Sequence, residues 1–96
     1  MVGLALLGAD AAPALTPGDL AARLKRGDDI DLVDVREPHE WDICRIEGAR
    51  LAPLSSFADA LRTLDSARDV VLYCKMGQRS AKAVRQLQAA GFKRVW

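Results

Sequence analysis

The stretch VVLYCKMGQRSAKAV, residues Val70–Val84, places a cysteine between a strand pattern and a helix pattern. The apolar run that ends at Tyr73 is continuous rather than alternating, which is typical of a parallel strand covered on both faces. Apolar residues at helical spacing predict a helix that begins near Ser80 and ends at Gly91. The residues in between must turn sharply, so the stretch predicts a strand–loop–helix unit with Cys74 at the carboxyl end of the strand.

Upstream of this unit, the chain alternates between helix and strand signals at short spacing. A helix is predicted from the N-cap Thr16, with proline at its first position, to a stop at Gly27. Ile30–Val35 predicts a strand, Pro38 begins one helical turn, and a short strand is predicted near Ala49–Ala52. A second short helix lies within SFADALRTLD, and KRVW begins another strand. This alternation predicts an α/β fold with a mostly parallel sheet and helices on both faces.

The composition is that of an ordinary soluble globular domain, with 96 residues, of which 50% are hydrophobic and 28% charged. The net charge of +1 argues against a nucleic-acid partner, and no apolar run is long enough to span a membrane. The start MVGLALLGADAAPA lacks the positive region of a secretory signal. We therefore interpret residues 1–14 as a leader or linker and residues 15–96 as the domain, and we expect a cytoplasmic protein.

The counts of cysteine and histidine limit the chemistry of the chain. The two cysteines, Cys44 and Cys74, are too few for a disulfide scaffold and do not form a CxxC pair. A single histidine, His39, argues against a zinc site of the usual Cys/His type, so no metal is predicted. His39 is interpreted as a turn residue, with a role as a base as the alternative.

The loop after Cys74 carries the groups that a thiolate needs. Gly77 can adopt a left-handed conformation, so successive backbone N–H groups can turn inward and form an anion-binding nest. Lowering a thiol pKa by about two units requires ~2.7 kcal/mol, whereas a helix N-terminus supplies only ~0.3–1 kcal/mol. Lys75, Arg79 and the loop N–H groups are therefore expected to share the stabilisation. A lone cysteine is more often a buried core residue, but this register of glycine, arginine and helix start favours a reactive thiol.

The segment YCKMGQRSAKAVRQLQAAGF resembles the active-site loop and following helix of rhodanese-like sulfurtransferase domains. LVDVREPHEWDICRIEGARLAPL resembles the upstream signature of the same family, and the resemblance extends over about residues 15–96. It implies a small parallel five-stranded sheet with helices on both faces. Members of the family continue past RVW with a Gly-Gly segment and a closing helix, so the resemblance also implies that the C-terminal end is truncated here.

The resemblance also implies a mechanism and a set of site residues. The thiolate of Cys74 would take a sulfane sulfur from thiosulfate or from a protein persulfide, such as that of a cysteine desulfurase. The resulting persulfide would pass its outer sulfur to a thiophilic acceptor, with no cofactor beyond that intermediate. The six residues that follow Cys74 would form the substrate-binding loop, namely Lys75, Met76, Gly77, Gln78, Arg79 and Ser80.

The upstream signature contributes residues that are interpreted mainly as supporting the fold. Asp34 and Arg36 come at a strand end, and in the family this pair is mainly structural. Arg79 is expected to point partly inward and fix the loop, with a bidentate carboxylate contact as one possibility. Arg45 stands where the family usually has histidine. Cys44 is interpreted as a plain buried cysteine, with a resolving thiol that forms a disulfide with Cys74 as the alternative.

Two other classes of function are carried as alternatives. Rhodanese-like domains also serve as non-catalytic binding or regulatory modules, although most of those would be expected to lack the cysteine. A cysteine-based phosphatase or arsenate reductase would use a roomier loop with five residues between cysteine and arginine, whereas this chain has four. The upstream run also resembles the rhodanese domain fused to adenylyltransferases of molybdopterin and thiamine sulfur transfer. That resemblance implies a ubiquitin-like sulfur-carrier protein as acceptor.

Overall fold

The computed structural model describes residues 15–96 of the chain. The predicted leader or linker, residues 1–14, lies outside the described residues. Helices and strands alternate in the order α1 (Pro17–Lys25), β1 (Ile30–Asp34), α2 (Pro38–Ile43), β2 (Arg50–Leu51), α3 (Phe57–Ala60), β3 (Asp69–Tyr73) and α4 (Gln78–Ala89), with a 3₁₀ turn at Leu54–Ser56 before α3. None of these helices is long and apolar enough to cross a membrane.

The first helix begins and ends where the sequence predicts. The side-chain oxygen of Thr16 accepts a hydrogen bond from the backbone N–H of Asp19 at 3.0 Å, which satisfies one of the free donors of the first turn. Pro17 occupies the first helical position, where its missing N–H costs nothing. Gly27 follows the helix with a φ of 86°, a left-handed conformation that favours glycine.

Three parallel strands form the sheet of the described chain, in the order β2–β1–β3. β1 and β3 pair along their full lengths, from Ile30 opposite Asp69 to Asp34 opposite Tyr73. β2 contributes only two residues to the sheet, and Pro53 soon after it has no N–H to extend the ladder. Because Asp34 pairs with Tyr73, the carboxyl ends of β1 and β3 lie side by side. Cys74 directly follows the end of β3.

The five strands implied by the family resemblance are not present in residues 15–96, so that count is wrong for the described chain. The KRVW segment does reach the free edge of β3, where Val95 forms a parallel bridge with Val70. Three backbone hydrogen bonds of 2.8–3.0 Å join Arg94 and Trp96 to β3. A single bridge is too short to form a strand, so this segment adds a neighbour to the sheet without adding a strand.

The core lies on both sides of β1 and β3. The buried cluster contains apolar residues from the two strands, from the position directly after β1 and from two helices, among them Val33, Val35, Val70, Leu72, Phe57, Ala83, Val84 and Leu87. Leu32 and Val71, which point to the opposite face and are paired in register, are also buried. Both faces of these strands are covered, which confirms the interpretation of the continuous apolar run that ends at Tyr73.

Cys44 is exposed, so its interpretation as a buried cysteine is wrong. It ends α2 with an extended backbone, and its carbonyl oxygen accepts a hydrogen bond of 2.6 Å from Arg36 Nη2. The backbone of Cys44 is therefore bonded to the domain, although the residue as a whole is exposed. Cys44 and Cys74 are both free thiols in the structure.

Candidate active site

Cys74 lies between β3, which ends at Tyr73, and α4, which begins at Gln78. The helix starts two residues earlier than the predicted position near Ser80. Gly77 makes this early start possible because it takes the N-cap position with a φ of 88° and a ψ of −15°. The tight turn brings the first N–H groups of the helix back over the cysteine.

Two backbone N–H groups point at the sulfur of Cys74. The N–H of Gly77 lies 3.0 Å from Sγ and the N–H of Ser80 lies 3.3 Å from it. The Ser80 hydroxyl oxygen is 3.5 Å from Sγ and donates its own proton to the Gly77 carbonyl at 3.1 Å. Cys74 is only partly exposed, so these N–H groups face a sulfur on a residue that is partly shielded from solvent.

These contacts lower the pKa of the Cys74 thiol. Burial raises this pKa, but the interaction with the Ser80 side chain and the hydrogen bonds from the N–H groups of Ser80, Gly77 and Met76 outweigh it. The main stabilisation of the thiolate therefore comes from Ser80 and the backbone of the loop. The sequence also predicts that Lys75 and Arg79 stabilise the thiolate, but neither is among the largest causes of the lowered pKa.

The Arg79 guanidinium forms its hydrogen bonds with a carboxylate on α2 rather than with the sulfur. Its Nη1 lies 2.6 Å from Glu40 Oε1 and its Nη2 lies 2.9 Å from Glu40 Oε2. The Arg79 guanidinium holds the pKa of Glu40 at about 2, well below its usual range. Sequence reasoning anticipated a carboxylate partner for Arg79 and did not single out Glu40. The sequence does contain a signal for Glu40, because it lies three residues after the N-cap Glu37, at a position in the first helical turn where acids are favoured.

Asp34 and Arg36 lie at the neighbouring strand end and bond to each other. Asp34 is fully buried, and its carboxylate accepts hydrogen bonds from the Arg36 backbone at 2.9 Å and from the guanidinium at 2.7–3.0 Å. The guanidinium also lies 5.7 Å from the ring centre of Tyr73. This arrangement joins β1 to the end of β3 and to the Cys44 carbonyl rather than to the sulfur.

The remaining predicted loop residues form the mouth of the site. Lys75, Met76 and Gln78 are exposed, and Met76 has 77% of its surface open to solvent. Lys75 is adjacent to Cys74 and takes part in no ion pair among residues 15–96. The mouth is therefore open and carries one cationic side chain that is free to meet an anion.

Two further kinds of site are relevant within the described residues, a metal cluster and a surface depression. Within residues 15–96, no group of three or more histidine, cysteine, aspartate or glutamate side chains could hold a metal ion. An open depression of about 590 Å³ lies beside the end of α4, against Phe92 and Lys93. It shares no residue with the loop around Cys74.

A Gly77→Ala substitution is expected to disturb both stability and the thiol. No atom lies within 4 Å of the added methyl group, so its cost is the left-handed backbone, about 1–2 kcal/mol. Because the Gly77 N–H must shift, the pKa of Cys74 is expected to rise. Gly91→Ala is the matched control, since Gly91 also has a left-handed φ, of 98°, and open space around it.

Urea unfolding of both variants should report similar losses of stability. The pH dependence of alkylation should shift upward for Gly77→Ala alone. Equal alkylation profiles in the two variants would contradict the role given to the Gly77 N–H.

The fold and the loop define an α/β protein in which a cysteine lies at a strand end, surrounded by donors. Comparison with known families assigns the chain more narrowly. The family model described as the rhodanese-like domain matches residues 16–96. The chain belongs to this family of rhodanese-like domains.

Individual relatives agree with the assignment. The chain is 45% identical over 80 residues to a probable adenylyltransferase/sulfurtransferase MoeZ of Mycobacterium tuberculosis, covering 81% of this chain but only 20% of that protein. It is 36% identical over 76 residues to a protein named sulfurtransferase from Allochromatium vinosum, covering 79% of this chain and 71% of that one. A rhodanese-like domain protein from Staphylococcus aureus has a similar crystal structure, with a TM-score of 0.76, 31% identity and coverage of 81% and 76%.

Proposed function

We propose that this chain is a sulfurtransferase that carries a sulfane sulfur as a persulfide on Cys74. The observation that supports this most is the pair of backbone N–H groups 3.0 and 3.3 Å from the Cys74 sulfur. Such donors stabilise a thiolate before sulfur transfer and the negative outer sulfur of a persulfide after it. Only four residues separate Cys74 from Arg79, so the loop suits a single added sulfur better than a tetrahedral phosphate.

The proposed reaction has two nucleophilic steps on Cys74. The thiolate attacks the sulfane sulfur of thiosulfate, the sulfur–sulfur bond of the donor breaks, and sulfite leaves with the electron pair. The outer sulfur of the persulfide then carries the negative charge. A thiol or cyanide attacks that outer sulfur, and Cys74 leaves again as the thiolate. Neither step requires a metal or a redox cofactor, because in each step the leaving group takes the electron pair of the sulfur–sulfur bond that breaks.

Lys75 is proposed to draw the anionic donor to the loop. The charge of Arg79 is balanced by Glu40, so Arg79 contributes little net attraction for an anion. Lys75 is exposed beside Cys74, where its ammonium group can meet the sulfonate end of thiosulfate. Met76 and Gln78 are exposed at the same mouth and would form its rim.

The physiological donor and acceptor form a finer part of the proposal. The relative from Mycobacterium tuberculosis is named as both an adenylyltransferase and a sulfurtransferase, and this chain spans a fifth of its length. This relationship supports a context in which a cysteine desulfurase or thiosulfate supplies the sulfur. The acceptor would be a ubiquitin-like sulfur-carrier protein, and the reaction would take place in the cytoplasm.

The alternative function is a non-catalytic rhodanese-like binding module. The ordered donors around Cys74 favour the enzyme, because a docking surface has no need of a half-buried thiol with a lowered pKa. A phosphatase or arsenate reductase is disfavoured by the short loop. Turnover of an aryl phosphate by the purified protein would reverse that preference.

Intact-mass measurement tests the proposal directly. The reduced protein is incubated with thiosulfate, and the mass is expected to rise by one sulfur atom and to return to its starting value after cyanide is added. A persulfidated desulfurase is supplied in a parallel sample, because a protein donor can reach a site that thiosulfate does not load. A folded protein that gains no sulfur from either donor would favour the binding module.

A further inference from the structure

Glu40 is held in place from two directions. Its Oε1 accepts a hydrogen bond of 3.1 Å from the backbone N–H of Glu37 in addition to the bond from Arg79. Its Oε2 receives the second Arg79 bond, so the guanidinium and the carboxylate meet fork to fork. The carboxylate is thus fixed to the start of α2 and presents both oxygens to the loop.

The start of α2 is itself attached to the rest of the domain. Glu37 precedes the helix, and its Oε1 accepts a hydrogen bond of 2.8 Å from the Ser55 hydroxyl. Arg36, one residue earlier, is paired with the buried Asp34. The carboxylate of Glu40 therefore stands on a segment that is bonded on both sides, and it can act as a rigid anchor.

Arg79 connects the fixed carboxylate of Glu40 to the residues around the sulfur. It immediately precedes Ser80, whose N–H lies 3.3 Å from Sγ and whose hydroxyl lies 3.5 Å from it. A shift of the Arg79 side chain would move the first turn of α4 and with it the Ser80 N–H that donates to the sulfur. Glu40 is 39 residues away from Arg79 in sequence, so this bond sets the loop by tertiary contact.

We propose that Glu40 is a positioning residue for sulfur transfer, holding the Arg79 guanidinium and thereby keeping the Ser80 N–H aimed at the Cys74 sulfur. The inference rests on the proposed function. Glu40 touches neither the sulfur nor the donor, so its effect passes through Arg79. The bond is intact under ordinary conditions, because a carboxylate with a pKa lowered from 4.5 to about 2 loses its charge only as the pH falls through about 2.

Glu40→Asp is the test, in a Cys44→Ser background that removes the exposed second thiol. Aspartate keeps the charge and withdraws the carboxylate by one methylene, so it cannot span both Glu37 and Arg79. We expect the pKa of Cys74 to rise and sulfur loading to slow by about tenfold, within the loss known for misplaced catalytic groups. Readouts are iodoacetamide alkylation between about pH 5 and 10, and the rate of mass gain from the donor that loads the parent protein.

Glu37→Asp is the matched control. It makes the same chemical change three residues earlier and weakens the Ser55 bond, whereas the hydrogen bonds and the ion pair of Arg79 are formed with Glu40. Because the bond to Ser55 helps to hold the start of α2, we expect a shift in the alkylation profile and in the loading rate that is clearly smaller than the shift in Glu40→Asp. An equal shift in both variants would overturn the proposal, because it would trace the effect to α2 as a whole.

Arg79→Lys provides an independent test should Glu40→Asp fold poorly. Lysine keeps the positive charge but lacks the fork that spans both carboxylate oxygens, so the same rise in the pKa of Cys74 is expected. An unchanged pKa and unchanged loading in Glu40→Asp, or in Arg79→Lys, would overturn the positioning role. Failure of the parent protein to load sulfur from any donor would instead refute the proposed function.

Discussion

Cys74→Ser is expected to remove sulfur loading almost completely, by more than about a thousandfold. A serine hydroxyl has a pKa far above that of a thiol and forms no persulfide. The hydrogen-bond donors that lower the pKa of Cys74 cannot lower the pKa of a serine hydroxyl to the range of a thiol. The change replaces one atom beneath the Gly77 and Ser80 N–H groups, so the loop geometry should be preserved.

The control for this variant is Cys44→Ser. Cys44 is exposed and its side chain forms no bond in the described chain, so its removal should leave both stability and sulfur loading unchanged. Intact mass after incubation with thiosulfate or a persulfidated desulfurase measures both variants. Sulfur gained by Cys74→Ser at the parent's rate would exclude Cys74 as the carrier. Loss of stable loading in Cys44→Ser would instead support a role of Cys44 as a second thiol.

Asp34→Asn is expected to reduce the free energy of unfolding by about 3 kcal/mol, because it breaks a buried ion pair and leaves Arg36 without its counter-charge. Asp34 has no exposed surface and Arg36 has 12% of its side chain exposed. An asparagine keeps the shape but can accept from the guanidinium through one oxygen only. For a domain of this size the melting temperature should fall by about 12–24 °C.

The chain contains a closely matched control for this change. Asp28 binds Arg26 with the same two-residue separation and with distances of 2.7–3.0 Å, but this pair lies at the surface. Asp28→Asn should therefore change stability little, because solvent screens an exposed pair. Thermal and urea unfolding measure the loss of stability in each variant. Because the two ion pairs have similar geometry, the difference between the losses reports the effect of burial. Equal losses would contradict the importance of burial for the Asp34–Arg36 pair.

The pH dependence of stability provides a second readout for Asp34. Burial raises the pKa of Asp34, but the hydrogen bonds from Arg36 outweigh it, so the pKa is lowered in the folded protein. Its contribution is therefore fully present above the unfolded-state pKa of about 3.9 and is lost as the pH falls through the folded-state value. Asp34→Asn should lack this part of the acid dependence of unfolding.

The strand, the loop and the helix around Cys74 could be predicted because their signals are local. The continuous apolar run, the glycine that can adopt a positive φ and the helical spacing after it all lie within fifteen residues. The helix begins earlier than expected, at Gln78, since Gly77 itself takes the cap. The first helix was equally predictable from Thr16, Pro17 and Gly27.

Tertiary structure decided the features that join distant parts of the chain. The sequence alone determined that Cys74 ends a buried strand, that a tight turn follows and that an arginine stands close behind it. Only the packing of α2 against the loop selects Glu40 as the partner of Arg79, and only the path of the chain after α2 leaves Cys44 exposed. A local pattern specifies backbone conformation, whereas contacts across 39 residues depend on how all the elements pack together.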